Sequence, residues 1–256
     1  MENGNILAIS IVLFCNPIEQ IQKVIESIRA SDVPYCLYLI DNSPSKDFFA
    51  YLVLKHEEKY TFLNKNVGFG AAHNVAIAES VKLGAKYHLV LNPDVYFDEK
   101  VLKTIIQYMD DHTDVGLLTP KVLYPDGSIQ YLCKRLPSPY DLFIRRFGPK
   151  TLKEKNNYLF EMRDRNYDEI MEVPSLSGCF MFFRNTVLQK IQGFDDRFFM
   201  YMEDVDISRR SGVVAKNLHF PKVTIYHEHG KGSYKSLKLL WYHISSVFKY
   251  FFKWGI

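Results

Sequence analysis

The chain has 256 residues, 47% hydrophobic and 24% charged, enough apolar content to offset chain entropy and to exclude a mainly disordered state. A net charge of +3 is too mild to make nucleic acid the expected partner. No stretch reaches the roughly 18 apolar residues of a membrane span, and no basic leader with a cleavage site opens the chain.

Residues 6–14 are apolar and rich in β-branched side chains, and predict a first strand. Pro17 then opens a helix with Ile18, Ile21, Ile25 and Ile28 on one face. A second strand over 35–40 ends in the polar turn Asp41-Asn42-Ser43-Pro44. A short strand at 60–63 leads through Asn66-Val67-Gly68-Phe69-Gly70 into a helix over 71–83. A strand over 87–91 stops at Asn92-Pro93-Asp94. Asp98 is expected to cap the next helix, with Val101, Leu102, Ile105, Ile106 and Met109 inside, before a strand over 115–119. This alternation implies an α/β fold with a mostly parallel sheet and helices on both faces. Ligands of such sheets lie beyond the carboxyl ends of the strands, where Asp41 and Asp94 both fall.

The pattern changes after residue 120. Tyr124-Pro125-Asp126-Gly127-Ser128 signals a hairpin turn. Residues 134–165 read as a long irregular loop, with nine Lys or Arg against four acids. An apolar run over 173–183 contains Ser177-Gly178, and the acidic cluster Glu203-Asp204-Val205-Asp206 follows. The tail, 237–252, places Leu237, Leu240, Trp241, Ile244, Val247, Phe248, Phe251 and Phe252 at helical spacing. The four cysteines (Cys15, Cys36, Cys133, Cys179) form no Cys-x-x-Cys pair, so free thiols in a reducing cytoplasm are expected.

Four groups carry candidate chemistry. Asp94, directly after a buried strand, suits a hard divalent cation such as Mg2+ or Mn2+ shared with a diphosphate; taken alone it is equally a turn residue. In Glu203-Asp204-x-Asp206 one carboxylate suits a general base, although acids also favour a helix start, and Arg209 and Arg210 offer structural pairing. Asn66-x-Gly68-Phe69-Gly70 opens a helix and suits phosphate, with Asn74 one turn further on, yet it matches neither the dinucleotide fingerprint nor the P-loop. His227-Glu228-His229-Gly230, with Ser233, follows the strand 223–226; either histidine could complete a metal shell. A Ser/His/Asp hydrolase lacks its Gly-x-Ser-x-Gly elbow here, a zinc enzyme its His-Glu-x-x-His, and a kinase its Gly-rich loop.

The ordered set resembles the family 2 glycosyltransferases of the GT-A fold, and within them the rhamnosyltransferase-like branch. Its landmarks here are Ile9-Ser10-Ile11-Val12, Asp41-Asn42-Ser43, Asn66-x-Gly68-Phe69-Gly70 with Asn74, Asn92-Pro93-Asp94, Ser177-Gly178-Cys179-Phe180-Met181, Gly193-Phe194-Asp195 to Phe198-Phe199, Glu203-Asp204-x-Asp206 with Arg209, and His229-Gly230 with Ser233. The resemblance implies a GT-A nucleotide-diphospho-sugar transferase domain over 1–233, with a Rossmann-like sheet; the apolar spacing beyond it predicts an amphipathic helical tail over 234–256. It implies donor contacts at Asp41, Asn42, Asn66, Gly68, Asn74, Asn92 and Asp94, with Asp41 on the nucleotide base or ribose. It further implies a divalent cation at Asp94 with His229 or else His227, and Asp204 as catalytic base with Glu203 as its alternative. Asn92 stands where the family's metal motif has its first Asp, which removes one charge from that site. The implied reaction is inverting transfer of a sugar, rhamnose from dTDP-rhamnose by analogy, to a cell-surface polysaccharide or lipid-linked acceptor. The competing readings are a nucleotidyltransferase, which would want a Gly-rich basic loop where Cys15-Asn16-Pro17 stands, and a catalytically silent nucleotide-sugar-binding scaffold. The tail either docks on the domain as ordinary core or lies on an anionic membrane surface, which would place the protein at the cytoplasmic face.

Overall fold

The computed structural model describes residues 7–228 and 237–255. Its first half alternates strand and helix: β1 (Leu7–Leu13), α1 (Ile18–Arg29), β2 (Tyr35–Asp41), β3 (Glu58–Phe62), α2 (Phe69–Leu83) and β4 (Tyr87–Leu91). The second half adds β5 (Val95–Phe97), α3 (Lys100–Asp111), β6 (Val115–Leu123), α4 (Pro139–Phe147), α5 (Lys150–Phe160), β7 (Met171–Glu172), β8 (Phe180–Arg184), α6 (Asn185–Ile191), α7 (Glu203–Val214), β9 (Lys216–His227) and α8 (Leu237–Trp254). One nine-stranded sheet runs in the order β3-β2-β1-β4-β8-β6-β9-β5, with β7 beside β9.

The α/β class is as expected, and the parallel character is confined to part of the sheet. Strands β3, β2, β1 and β4 are mutually parallel, as short helical crossovers require. Beyond β4 the sheet is mixed: β8 runs antiparallel to both β4 and β6, and β5 runs antiparallel to β9.

Strand alternation divides the core. Leu7, Ile9, Ile11 and Leu13 face the apolar stripes of α1 and α3, which supply Ile21, Val24, Ile25, Ile28, Val101, Leu102, Ile105 and Met109. From the opposite face, Ala8, Tyr38 and Ile40 meet Ala72 and Ala76 of α2, whose small side chains allow close approach. Val90, Leu117, Met181 and Phe183 continue that second face under Ile77, Leu188 and Ile207, on α2, α6 and α7. Each large side chain fully withdrawn from water contributes about 1.5–3 kcal/mol, so the two faces together dominate stability.

Three local expectations are corrected. The cap position of α3 is Glu99, and Asp98 contributes only its backbone carbonyl, which accepts from Val101 N at 3.1 Å. The stretch 134–165 contains two helices, α4 and α5. The first begins at a capping box: Asp141 N donates to Ser138 Oγ at 3.2 Å, and Ser138 N donates to Asp141 Oδ2 at 2.9 Å.

The third concerns the tail. Helix α8 does dock on the domain, by one flank of the apolar stripe, where Val247 and Phe251 pack against Phe198, Met202, Val205 and Tyr250, and by an adjoining polar face. Tyr250 and Ser246 are buried, Ser246 Oγ donates to Met200 O at 2.8 Å, and Trp254 Nε1 donates to Asp206 Oδ1 at 2.8 Å. Lys253 pairs with both Asp195 (2.8 Å) and Asp206 (2.7 Å), and Lys249 donates to Arg197 O at 2.7 Å. Leu237, Trp241, Ile244, Phe248 and Phe252 are exposed; at 100° per residue they form one stripe about 80° wide on the side away from Ser246. No helix among the described residues is long and apolar enough to cross a membrane, and all four cysteines are free thiols.

Candidate active site

The site is built at the carboxyl ends of β1, β2 and β4. Asn42 follows β2: its backbone N donates to Leu13 O, and its side-chain amide donates to Gly68 O at 3.0 Å. Asn66 Oδ1 accepts from Gly68 N at 2.9 Å, closing a tight turn before α2. Gly68 has φ +94°, and a Cβ there would lie 2.3 Å from Phe199 O, so only glycine lets this turn meet the 199–202 segment. Phe69 N donates to that same Phe199 O at 3.0 Å.

Asn92 ends β4, and its backbone N donates to Cys179 O at 2.9 Å. Three residues on, antiparallel pairing of β5 with β9 sets Val95 opposite His227. That register brings Asp94 to His227 across more than a hundred residues of chain. His227 Nε2 lies 3.3 Å from Asp94 Oδ1, and Glu228 N donates to Asp94 O at 3.0 Å.

Gln130 fixes the histidine. Its amide Nε2 donates to His227 O at 2.6 Å and to Leu123 O at 3.3 Å, which turns Oε1 toward His227 Nδ1 at 2.9 Å. This amide orientation assigns the proton to Nδ1 and aims the Nε2 lone pair at the Asp94 carboxylate. A lone pair facing a carboxylate is reconciled by a proton or a cation between them. Two ligands at right angles on a small divalent ion, each about 2.1 Å from it, lie about 3.0 Å apart, close to the observed spacing. Asp94 and His227 therefore fit as part of a cation shell that substrate oxygens would complete. No group of three or more His, Cys, Asp or Glu that could hold a metal occurs among the described residues. His229, the other histidine expected here, lies outside the described residues, as do Gly230 and Ser233.

Asn42, Asn66, Gly68, Asn92 and Asp94 all line one cavity of about 220 Å³, with Val12, Asn16, Phe69 and Met200. Three described residues expected here do not line it: His227 is buried and meets Asp94, and Asp41 and Asn74 turn elsewhere. Asp41 is fully buried, accepting from Tyr60 Oη at 2.5 Å and from Ser43 N at 2.8 Å, and so braces the turn rather than facing a ligand. Asn74 turns toward residues 193–196: its amide N donates to Phe194 O (2.9 Å) and Asp196 Oδ1 (2.7 Å), while Phe194 N donates to its Oδ1 (2.8 Å).

A second cavity, about 330 Å³, adjoins the first across a thin wall. Glu203 and Asp204, at the start of α7, line it together with Lys134, Arg145, Arg146, Tyr201, Leu240 and His243. The wall has two parts. Gly178 N donates to Asp204 Oδ2 at 3.3 Å, while the next residue, Cys179, holds Asn92. The other part is the 199–202 segment, in which Met200 lines the first cavity and Tyr201 the second. Tyr201 and Met202 have φ +68° and +67°, consecutive left-handed residues that non-glycine side chains rarely adopt.

The two acids at the start of α7 differ. Burial, then the adjacent Asp204 charge, raises the pKa of Glu203 above the usual carboxylate range. The Asp204 side chain is partly exposed and accepts from Gly178 N and Val205 N. Of the two, only Asp204 presents its carboxylate partly to solvent in the cavity. His243 and the cations Lys134, Arg145 and Arg146 had no motif to announce them.

The family model for glycosyl transferase family 2 matches residues 10–192, well over half of the chain. The chain belongs to this family. Rhamnosyltransferase WbbL of Escherichia coli (strain K12) is 27% identical to this family 2 chain over 243 residues, covering 91% of it and 88% of WbbL. An N-acetylglucosaminyl-diphospho-decaprenol L-rhamnosyltransferase of Mycobacterium tuberculosis is 26% identical over 176 residues, covering 63% of this chain and 56% of its own. Among solved structures, S. aureus TarS 1-349 in complex with UDP superposes with TM-score 0.56 at 15% identity, covering 86% of this chain and 59% of that one. GalNAc-T7 with UDP, GalNAc and Mn2+ gives TM-score 0.62 at 12% identity, over 86% of this chain and 42% of that one. This chain thus spans about three fifths or less of these solved neighbours. The likeness fixes the GT-A fold, and the family 2 chain is a nucleotide-sugar-dependent glycosyltransferase.

Proposed function

We propose that this chain is an inverting rhamnosyltransferase that uses dTDP-rhamnose and glycosylates a sugar carried on a lipid diphosphate. The observation that carries the transferase geometry is the adjacency of the two cavities across the Gly178–Cys179 wall: Asp94 and His227 stand on one side, Asp204 on the other. The rhamnosyl donor and the lipid-linked acceptor are read from the WbbL and mycobacterial relatives.

The nucleoside diphosphate occupies the first cavity, between the Asn66–Gly68 turn and Asn92–Asp94. Asp94 and His227 would hold a divalent cation, which when bound offsets the charge of the departing diphosphate. Asn42 and Gly68 position the turn, and Gln130 holds the His227 ring. The acceptor hydroxyl enters from the second cavity. Asp204 takes its proton as the oxygen attacks the anomeric carbon. The bond from that carbon to the diphosphate oxygen breaks on the opposite face, and its electron pair leaves with the nucleoside diphosphate. One displacement with one base inverts the configuration, whereas a retaining route would need a second carboxylate as nucleophile.

Replacing Asp204 by Asn should lower turnover by a factor of about 10² to 10⁴ while donor KM changes little. Near wild-type turnover would sink the assignment of Asp204. Failure to consume any nucleotide sugar in the presence of manganese would favour the silent scaffold.

The exposed stripe of α8 supports a peripheral contact with an anionic bilayer at the cytoplasmic face. The helix is already anchored to the domain through Ser246, Val247, Tyr250, Phe251 and Trp254, leaving Trp241, Phe248 and Phe252 outward. Flotation with anionic liposomes tests this in Trp241→Ser/Phe248→Ser, which leaves the docking face intact. Flotation undiminished from that of the unmodified chain would remove the idea.

A further inference from the structure

The second cavity contains more positive charge than a neutral sugar hydroxyl and one base require. Lys134 enters from a segment whose backbone pairs with Ser175, and Arg145 and Arg146 come from the last turn of α4. Three cations share this lining with two carboxylates, Glu203 and Asp204. Glu203 Oε2 is itself buried, with no hydrogen-bond partner among the described residues. His243, opposite on α8, reports the same crowding: its pKa is lowered first by burial, then by Arg146 and Arg145, and more weakly by Lys134, against the pull of Asp204.

Three cationic side chains converging on one part-buried cavity suit an anionic ligand. Arg145 is already oriented, with its guanidinium 4.4 Å above the Phe160 ring and 3.6 Å from Glu161. Planar guanidinium forks match phosphate oxygens in pairs. The donor's own diphosphate is assigned to the other side of the wall, by Asp94 and His227. Beyond the cations the lining turns apolar, through Leu142 of α4 and Leu240 of α8. The same two helices carry exposed aromatic rows: Tyr140, Phe143 and Phe147 on α4, and the stripe of α8.

The geometry points to Lys134, Arg145 and Arg146 as the seat of the acceptor's diphosphate, with its first sugar reaching toward Asp204 and its lipid leaving between α4 and α8. This rests on the transferase reading, and deepens it by giving the acceptor's phosphates their own residues.

The test is direct binding to the whole chain of two soluble probes, octyl-diphospho-N-acetylglucosamine and the phosphate-free octyl N-acetylglucosaminide. Arg146→Gln should weaken the diphosphate probe by about tenfold to a hundredfold, the worth of one charge-assisted contact, and the phosphate-free probe by less than about threefold. Arg146→Lys should fall between, because charge remains but the fork is lost. Arg135→Gln, outside the cavity and paired with Asp164 at 2.7 Å, should change neither. Saturating dTDP should leave the diphosphate probe bound. Equal losses for both probes, no loss, or competitive displacement by dTDP would each overturn the seat. Binding as expected, with no sugar transferred from any nucleotide sugar, would instead sink the transferase reading and leave the seat standing.

Discussion

Lys253 links the tail helix to the helix that carries the proposed base, and its removal has a size that can be worked out. Its ammonium, 18% exposed as a side chain, lies 2.7 Å from Asp206 Oδ1 and 2.8 Å from Asp195 Oδ2. Stranding a buried carboxylate costs about 3–5 kcal/mol. Neither carboxylate is stranded by Lys253→Met, because Arg210 still holds Asp206 at 2.8 Å and Arg197 still holds Asp195 at 2.6 Å. Methionine also keeps most of the apolar stem. The expected loss is therefore below that range, about 2–3 kcal/mol, which for a chain of this size lowers Tm by roughly 5–10 °C. Thermal unfolding followed by circular dichroism at pH 7 measures it, with Lys238→Met on the same helix as the control. A drop under 2 °C, or one equal to that of Lys238→Met, would show that the polar face does not hold α8 in place.

Gly68→Ala should destabilise by about 2–4 kcal/mol and raise donor KM, because the added Cβ meets a backbone oxygen that no rotamer change can move; an unchanged melting curve and KM would refute the close approach. Acid should weaken the fold through His73 and His88, both buried on Ser10 Oγ, at 2.7 and 2.9 Å. Burial pushes His88 down to about 3 and His73 well below its usual value, so the folded form stays neutral while the unfolded chain takes up protons near pH 6.5. Stability is then fully present above pH 6.5 and falls by up to about 4 kcal/mol by pH 5. In His88→Gln that slope should be roughly halved in urea titrations across this range; an unaltered slope would assign it elsewhere.

The parallel half of the fold was legible because β1, β2 and β4 are short apolar runs ending in polar turns, and Asp41 and Asp94 stood out from their positions at those ends, of which only Asp94 lines the cavity. Helix α4 was missed although Ser138-Pro139-x-Asp141 spells a capping box; the surrounding basic charge read as loop. Asp41 and Asn74 illustrate a different limit. Their residue types and places suit ligand contact, but the hydrogen bonds of Tyr60 and of the Phe194 backbone, distant in sequence, draw them elsewhere. His227 could not be paired with Asp94 from the sequence, since the pairing depends on the register of β5 against β9. In α8 the helical period was legible but not its orientation: spacing left docking and an outward stripe equally open, and in the structure Val247 and Phe251 pack inward with Tyr250, Ser246, Lys253 and Trp254 while the rest of the stripe faces out. Hydrophobic periodicity identifies a face, and only the partner's chemistry says whether that face turns inward.

The segment 199–202 gives the two cavities a common partition, with neighbouring residues Met200 and Tyr201 turned to opposite sides. Displacing one side chain shifts the peptide that carries the other, and the left-handed pair Tyr201 and Met202 leaves little backbone freedom to absorb the shift. A displacement on one side would then reach the other through the single peptide that joins Met200 to Tyr201. Steady-state kinetics should accordingly be sequential, with the apparent KM of each substrate varying with the concentration of the other.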